Sequence, residues 1–281
     1  MDPRHRVVII TGASAGIGAA TARLFAAAGA KLVLAARSRE PLERLAAALP
    51  GAVAVPTDVG NQEQCRALVE LARTHHGRVD ILINNAGVGL TGPVVELSSD
   101  DLERALAVNL LGPLWLMQAV APLMRAQGRG QIINVSTVLA EQPLPYLGGY
   151  AAAKAALERL SETLRMELRG AGVRVTVVRP GSTRTEFRAR RLGAGREQRR
   201  LAPPAVPPET AARAILRAAR REPLRAYVTF GDHMAIWLAR LLPGPVEALL
   251  SRAITWEPVT GPALPQPDAP PARGRGREGP G

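Results

Sequence analysis

The chain has 281 residues, 47% apolar and 21% charged, enough to bury the core of one large α/β domain or two small ones and too apolar to be disordered throughout. Aromatics make up 3%, too few for a stacking platform for single-stranded nucleic acid, and the lone cysteine, Cys65, excludes a disulfide framework or thiolate metal cluster and fits a reducing, cytoplasmic compartment. The formal net charge is +12, carried by 36 basic residues of which only Lys31 and Lys154 are lysines, and residues 184–225 alone carry twelve arginines against four glutamates. That basic stretch reads first as a solvated helix face and loop, and otherwise as an attractor of anionic substrates or lipid headgroups. Nucleic acid ranks last, because no recognition motif accompanies the charge.

In chain order, Arg6–Ile10 is a short β-branched run before a glycine-rich turn, which predicts a buried parallel strand. A helix is expected from about Ile17 to Ala28, closed by Gly29, then a strand at Lys31–Ala35 and a helix at Glu40–Leu49 ended by Pro50-Gly51. Strands follow at Val53–Pro56 and Val79–Ile83 around a helix at Gln62–His75. The alternation continues with a helix around Asp101–Met124, strand Gln131–Val135, helix Tyr150–Arg169, strand Arg174–Val178 and helix Glu209–Arg220. Such alternation implies parallel βαβ units in a doubly wound sheet with helices on both faces.

The N-terminal apolar run is too short for a secretory leader. Ala105–Met124 is nearly all apolar, but Gly112, Pro113 and Pro122 interrupt it, so a helix buried inside the protein is expected rather than a bilayer span. Met234–Leu250 is apolar too and is cut by Arg240 and Pro243-Gly244-Pro245. It suits a lid over a greasy pocket, a subunit interface or an interfacial hairpin. From Pro258 onward the Pro/Gly/Arg-rich sequence has no periodicity and is expected to be disordered. The histidines, His5, His75, His76 and His233, show no i, i+4 spacing for a helical zinc site, and no metal is expected.

The motif Thr11-Gly12-Ala13-Ser14-Ala15-Gly16-Ile17-Gly18 lies between the first strand and the first helix. Glycines there allow positive φ and close backbone approach, while the helix N-terminus offers free N–H groups and partial positive charge to a pyrophosphate. At the end of the second strand a carboxylate would bind the ribose 2′-OH of NAD and repel a 2′-phosphate. The chain has Ala35-Ala36-Arg37-Ser38 instead. Arg37 and Ser38 suit a 2′-phosphate through charge-assisted hydrogen bonds, which favours NADP over NAD; otherwise Arg37 is one more surface arginine.

Together with these pieces, Asp58, Asn84-Asn85-Ala86-Gly87, Asn109, Ser136-Thr137, Tyr150-Ala151-Ala152-Ala153-Lys154 and Pro180-Gly181 follow in order. In these residues the sequence resembles the short-chain dehydrogenase/reductase family over roughly residues 5–230. The resemblance implies a Rossmann-like catalytic domain over 1–232, followed by the apolar segment 233–257 and the tail 258–281. It further implies that Gly12, Ser14, Gly16, Ile17 and Gly18 contact the cofactor phosphates and adjoining ribose, and that Asp58 and Val59 meet the adenine. Asn85, Ala86 and Gly87 would line the central ribose and nicotinamide side; Pro180, Gly181 and Thr183 would hold the carboxamide face, with Thr185 closing over it. Asn109 would fix a water linking Lys154 to solvent. The family pairs its equivalents of helices 101–124 and 150–169 across a two-fold axis, so a homodimer or homotetramer is implied.

Tyr150 and Lys154 are four apart on one helix face. An ammonium beside a phenol is expected to lower its pKa and suit it to proton exchange with an alcohol or ketone. In a chain where nearly every cation is arginine, a lysine at this spacing points to a requirement for a compact ammonium. By resemblance the substrate-orienting hydroxyl lies thirteen residues before the tyrosine. That position is Thr137, with Ser136 as the alternative. The expected reaction is reversible hydride transfer between a nicotinamide and a carbonyl or secondary alcohol, on a bulky apolar substrate recognised by 182–208 and 233–256. The competing reading is an NADP-binding scaffold without turnover, in contact with a membrane surface.

Overall fold

The computed structural model describes residues 1–193, 195–199 and 204–258. A seven-stranded, wholly parallel sheet forms the centre, built from β1 (Val7–Thr11), β2 (Lys31–Ala36), β3 (Val53–Pro56), β4 (Ile81–Asn84), β5 (Gly130–Val135), β6 (Val173–Arg179) and, further on, β8 (Arg225–Tyr227). Its strand order is β3-β2-β1-β4-β5-β6-β8. The order reverses between β1 and β4, and a crevice opens beyond the carboxyl ends of the strands at such a switch point. The expected doubly wound sheet is therefore present.

Both faces of the sheet are covered, so its strands are apolar without alternation. Val8 and Ile10 of β1 face one core layer and Ile9 the other. The first layer is completed by α1 (Gly16–Ala27), α2 (Arg39–Ala47) and α7 (Pro208–Arg221), the second by α3 (Gln62–His76), α5 (Gly112–Ala126) and α6 (Gly148–Glu167). Helix ends follow local chemistry. The Asn61 side chain accepts from the Gln64 N–H to start α3, and Gly77 takes the left-handed conformation (φ +74°) that ends it.

Three features depart from the sequence expectation. The helix expected at Asp101–Met124 is a rod spanning Ser99–Ala126 in three parts: α4 (Ser99–Leu106), one π-helical stretch at Ala107–Leu111, and α5. Hydropathy periodicity cannot separate π from α winding, and the π stretch holds Asn109. The rod is long and apolar enough to cross a membrane by length and composition, yet Leu116, Met117, Val120 and Met124 are core residues beneath the sheet. Second, β8 extends the sheet over a three-residue stretch too short to register as a pattern. Third, residues 230–258 are structured: α8 (Phe230–Leu241) and α9 (Pro243–Ala253) lead into β9 (Ile254–Pro258), which pairs antiparallel with β7 (Gly195–Arg199). Beyond Pro258 the expected disordered tail lies outside the described residues.

Candidate active site

At the carboxyl edge of the sheet lies a cavity of about 520 Å³. One end is walled by the β1–α1 turn. Gly12 and Gly16 have φ of +64° and +53° there. A Cβ on Gly12 would lie 2.8 Å from Ala86 Cα, and one on Gly16 would lie 3.0 Å from Thr185 Cγ2. Any side chain would close this cradle, which is the shape a phosphate-binding turn needs. Ser14 and Ile17 line it as well. Gly18 does not; a Cβ there would lie 2.1 Å from the Gly12 carbonyl oxygen, so this glycine packs α1 against the turn instead of facing the cavity.

The turn is pinned by Thr11 and Asn85. Thr11 Oγ1 accepts from the N–H groups of Asn85 and Ala86 at 3.0 and 3.1 Å, and Asn85 Nδ2 donates to the carbonyls of Thr11 and Gly12 at 2.9 and 3.3 Å. Arg37 and Ser38, both exposed, stand at the end of β2 on the cavity rim, with Asp58 and Val59 beside them. Asp58 Oδ1 accepts from Gly60 N at 3.0 Å, which fixes the loop after β3.

At the other end Tyr150 and Lys154, both buried, project from α6 into the cavity. Lys154 Nζ donates to the Val135 carbonyl at 3.0 Å. Thr137 stands close enough to Tyr150 for its hydroxyl to act on the phenol, and its Oγ1 accepts from Leu139 N at 3.3 Å, which leaves the hydroxyl proton for donation. The structure thus brings Thr137, not Ser136, to the phenol. Ser136 lines the cavity, and its buried Oγ has no hydrogen-bond partner among the described residues. Asn109 Nδ2 donates to the Val88 carbonyl at 2.7 Å while Oδ1 accepts from Val88 N at 3.1 Å. Its side chain therefore clamps the loop after β4 and lies outside the cavity lining, next to Gly87, where a Cβ would meet Asn109 Oδ1 at 3.0 Å and Lys154 Nζ at 3.7 Å.

The electrostatics correct one expectation. Burial raises the Tyr150 pKa above the ordinary phenol value, opposed first by the positive charge of Arg191 and then by the Thr137 hydroxyl. The cation that acts on the phenol is thus Arg191. Burial also lowers Lys154 to about 8, against the pull of Glu158 one turn along α6. With the ammonium weakened by its own desolvation and hydrogen-bonded to Val135, it does not produce the acidified phenol that the i, i+4 spacing suggests.

The sequence profile of the short chain dehydrogenase family matches residues 6–193. The chain belongs to the short-chain dehydrogenase family. An uncharacterized oxidoreductase of Listeria monocytogenes is 40% identical over 193 residues, covering 66% of this chain and 78% of the relative. A short-chain dehydrogenase/reductase of Burkholderia phymatum, solved with NAD, superimposes with a TM-score of 0.79 at 27% identity, over 88% of this chain and 97% of that one. A short-chain dehydrogenase of Burkholderia cenocepacia, solved with NADP, does so with a TM-score of 0.74 at 30% identity, over 91% and 100%. This dehydrogenase is accordingly an oxidoreductase with a Rossmann-like fold.

The roof of the dehydrogenase cavity comes partly from the Pro180-Gly181 motif and partly from α8 and α9, which lie beyond the matched residues. Pro180 and Gly181 follow β6 and line the cavity, as do Thr183 and Thr185. A Cβ on Gly181 would lie 2.0 Å from Asp232 Oδ1, the residue that closes a capping box with Thr229 at the start of α8. Beyond it Ile236 and Ala239 of α8, Val246 and Leu250 of α9 and Ile254 cover the substrate end. Arg191 crosses Gly89, whose Cβ would meet Arg191 Cγ at 2.6 Å, and Phe187 stacks obliquely on Tyr150 with ring centres 5.6 Å apart. Thr11, Arg191 and Asp232 are the residues sequence reasoning did not single out. Thr11 carries only a helper's role inside the glycine motif, while Arg191 and Asp232 sit where no fixed spacing marks them.

Proposed function

We infer that this oxidoreductase uses NADP(H) to interconvert a carbonyl and a secondary alcohol on a bulky, mainly apolar molecule. The observation that carries the reading is a single cavity with the glycine cradle and Arg37 at one end and Tyr150, Thr137 and Lys154 at the other. The cradle fits a dinucleotide because a side chain at Gly12 or Gly16 would fill it. Gly12, Ser14, Gly16 and Ile17 would hold the phosphates, Arg37 and Ser38 the 2′-phosphate, and Asp58 and Val59 the adenine. Asn85, Ala86 and Gly87 would flank the ribose, with Lys154 donating to its hydroxyls and Pro180, Gly181, Thr183 and Thr185 against the nicotinamide. When bound, the nicotinamide supplies or accepts the hydride.

Within that site Tyr150 gives its proton to the oxygen of the carbonyl as charge develops there, and the Thr137 hydroxyl donates a second hydrogen bond to the same oxygen. A phenol held above its ordinary pKa is fully protonated at neutral pH, which suits it to act as the acid in reduction. Asn109 holds the loop at Val88 and so keeps Gly87 flush with the cavity. A screen of apolar ketones, aldehydes and alcohols against small sugars, with NADPH and NADH in parallel, tests the reading. Turnover confined to small polar sugars overturns the apolar substrate.

Cofactor choice turns on Arg37. Replacing Arg37 by Gln is expected to weaken NADPH binding by about 10–100-fold, the worth of a hydrogen-bonded charge at ~1.5–3 kcal/mol, and to leave NADH binding unchanged. Equal losses for both nucleotides, measured by fluorescence titration, would remove the arginine from the 2′-phosphate site.

Lys154 sets a pH dependence. Because folding lowers its pKa to about 8, the folded protein releases this proton before the unfolded chain does. This group's contribution to stability therefore rises with pH between about 8 and the ordinary lysine value near ~10.4. Cofactor binding runs the other way, since the ribose contact needs the ammonium. NADPH affinity is expected to fall as pH passes through about 8, and Lys154→Met is expected to lack that falling limb. A wild-type affinity flat from neutral pH to well above that value contradicts the ribose contact.

The subunits are proposed to pair through the outward side of α5 and α6, where Trp115 is half-buried and Leu160 and Met166 are exposed. A cytoplasmic setting is proposed from Cys65, a single buried thiol whose pKa burial pushes up to about 12 and so keeps unreactive.

A further inference from the structure

The hairpin that roofs the cavity is apolar on two sides. Its inner side, with Ile236, Ala239, Val246 and Leu250, lines the cavity. On its outer side Phe230, Met234, Trp237, Leu238 and Leu241 recur at helical spacing along α8 and stay exposed, Phe230 at 77%, Trp237 at 53% and Leu241 at 59%. Leu242 at the bend and Leu249 on α9 extend the same surface. Half of the large apolar side chains exposed among the described residues lie in this one stretch, a concentration that marks an interaction site.

We propose that this outer face docks on an anionic lipid surface, with α8 and α9 lying in the headgroup plane and the cavity mouth turned toward the bilayer. The two helices have 12 and 11 residues and meet at a bend of 115°. At 1.5 Å per residue they are about 18 and 16.5 Å long, each too short for a hydrocarbon core of about 30 Å. A short hairpin with Trp, Phe and Leu on its exposed outer side seats in the interface instead. The charge of the chain as a whole selects the occupant. Exposed Arg188 lines the cavity that the hairpin roofs, and α9 carries exposed Arg252 beside exposed Glu247. They belong to a chain of net charge +12. Anionic headgroups complement that sign, whereas a second copy brought face to face would set like charges together. Docking in this orientation gives an apolar substrate a route from the bilayer into the roofed cavity without crossing water. The inference stands apart from the hydride chemistry, because binding can be read without turnover.

The test is co-sedimentation of the full chain with phosphatidylcholine vesicles, with and without phosphatidylserine, beside the double variant Trp237→Glu/Leu241→Glu. Neither residue lines the cavity, so NADPH binding by the variant serves as its check of folding. The wild type is expected to bind the phosphatidylserine vesicles at least ~10-fold more tightly than the neutral ones and to be released by high salt, as surface-charge attraction requires. The variant is expected to lose at least ~10-fold in vesicle affinity. Equal binding to both vesicle types overturns the anionic preference. Absence of vesicle binding, or a wild-type dimer that the variant converts to monomer without any lipid effect, overturns membrane docking and assigns the face to a second copy of the chain.

Discussion

Replacing Tyr150 by Phe is expected to lower the rate of carbonyl reduction by roughly 10²–10⁴-fold, the range that positioned proton transfer supplies, while NADPH binding stays within a few-fold of wild type. The substitution keeps the ring against Phe187 and removes only the hydroxyl. Tyr150 is buried and its phenol is held above its ordinary pKa, so the proton is in place throughout the neutral range. Thr137→Val separates the two hydroxyls. It removes the donor to the same oxygen and one of the influences that lower the phenol pKa, so it is expected to slow reduction less than the tyrosine change does. Single-turnover rates with saturating NADPH decide the matter. A Tyr150→Phe enzyme that keeps more than a tenth of the wild-type rate would move the acid elsewhere in the cavity.

Sheet and motifs were legible because they repeat or obey local chemistry. Buried parallel strands such as Val7–Thr11 and Ile81–Asn84 are unbroken apolar runs, and a helix must follow each one to cross over. The glycine turn, Tyr150 and Lys154 sit at positions whose spacing alone implies a shared face or a shared turn. What stayed hidden depends on contacts between distant parts of the chain. The choice between Thr137 and Ser136 depends on local backbone that periodicity does not encode, the extended Thr137 and the short 3-10 turn at Val138–Ala140 that it caps. The phenol's pKa depends on how deeply α6 is buried and on Arg191, forty-one residues along the chain. Asn109 was legible as a residue of interest, yet its hydrogen bonds to Val88 follow from a π-helical stretch that hydropathy does not encode. The pairing of β7 with β9 joins segments more than fifty residues apart, and neither strand alternates in a way that announces it.

Arg179→Met is expected to destabilise the fold by about 3–5 kcal/mol, the cost of removing one partner from a buried ion pair. Arg179 ends β6 immediately before Pro180-Gly181 and is fully buried. Its Nε donates to Glu158 Oε1 at 3.0 Å, Nη2 donates to Glu158 Oε2, and Nη1 lies 2.6 Å from Glu141 Oε1 and 3.2 Å from the Tyr227 hydroxyl. Burial alone would lower the guanidinium pKa, but the two carboxylates outweigh it and hold the group above its ordinary value. Tyr227 in turn donates to Glu141 at 2.9 Å, and Arg240 of α8 donates to the same carboxylate at 3.0 Å. One guanidinium therefore joins the helix of Tyr150 and Lys154, the strand that leads into Pro180-Gly181, the segment after Thr137 and the roof. Methionine of similar length would leave Glu158 buried with its charge unmatched, one helical turn from Lys154. The companion Arg179→Met/Glu158→Leu removes that stranded charge and is expected to recover part of the loss, as replacing a whole buried pair by apolar groups often does. Urea unfolding of the wild type and both variants measures this directly. If the single variant is as stable as wild type, the pair contributes nothing to holding α6 against β6, and the depth at which Tyr150 and Lys154 sit must be set by the apolar core alone.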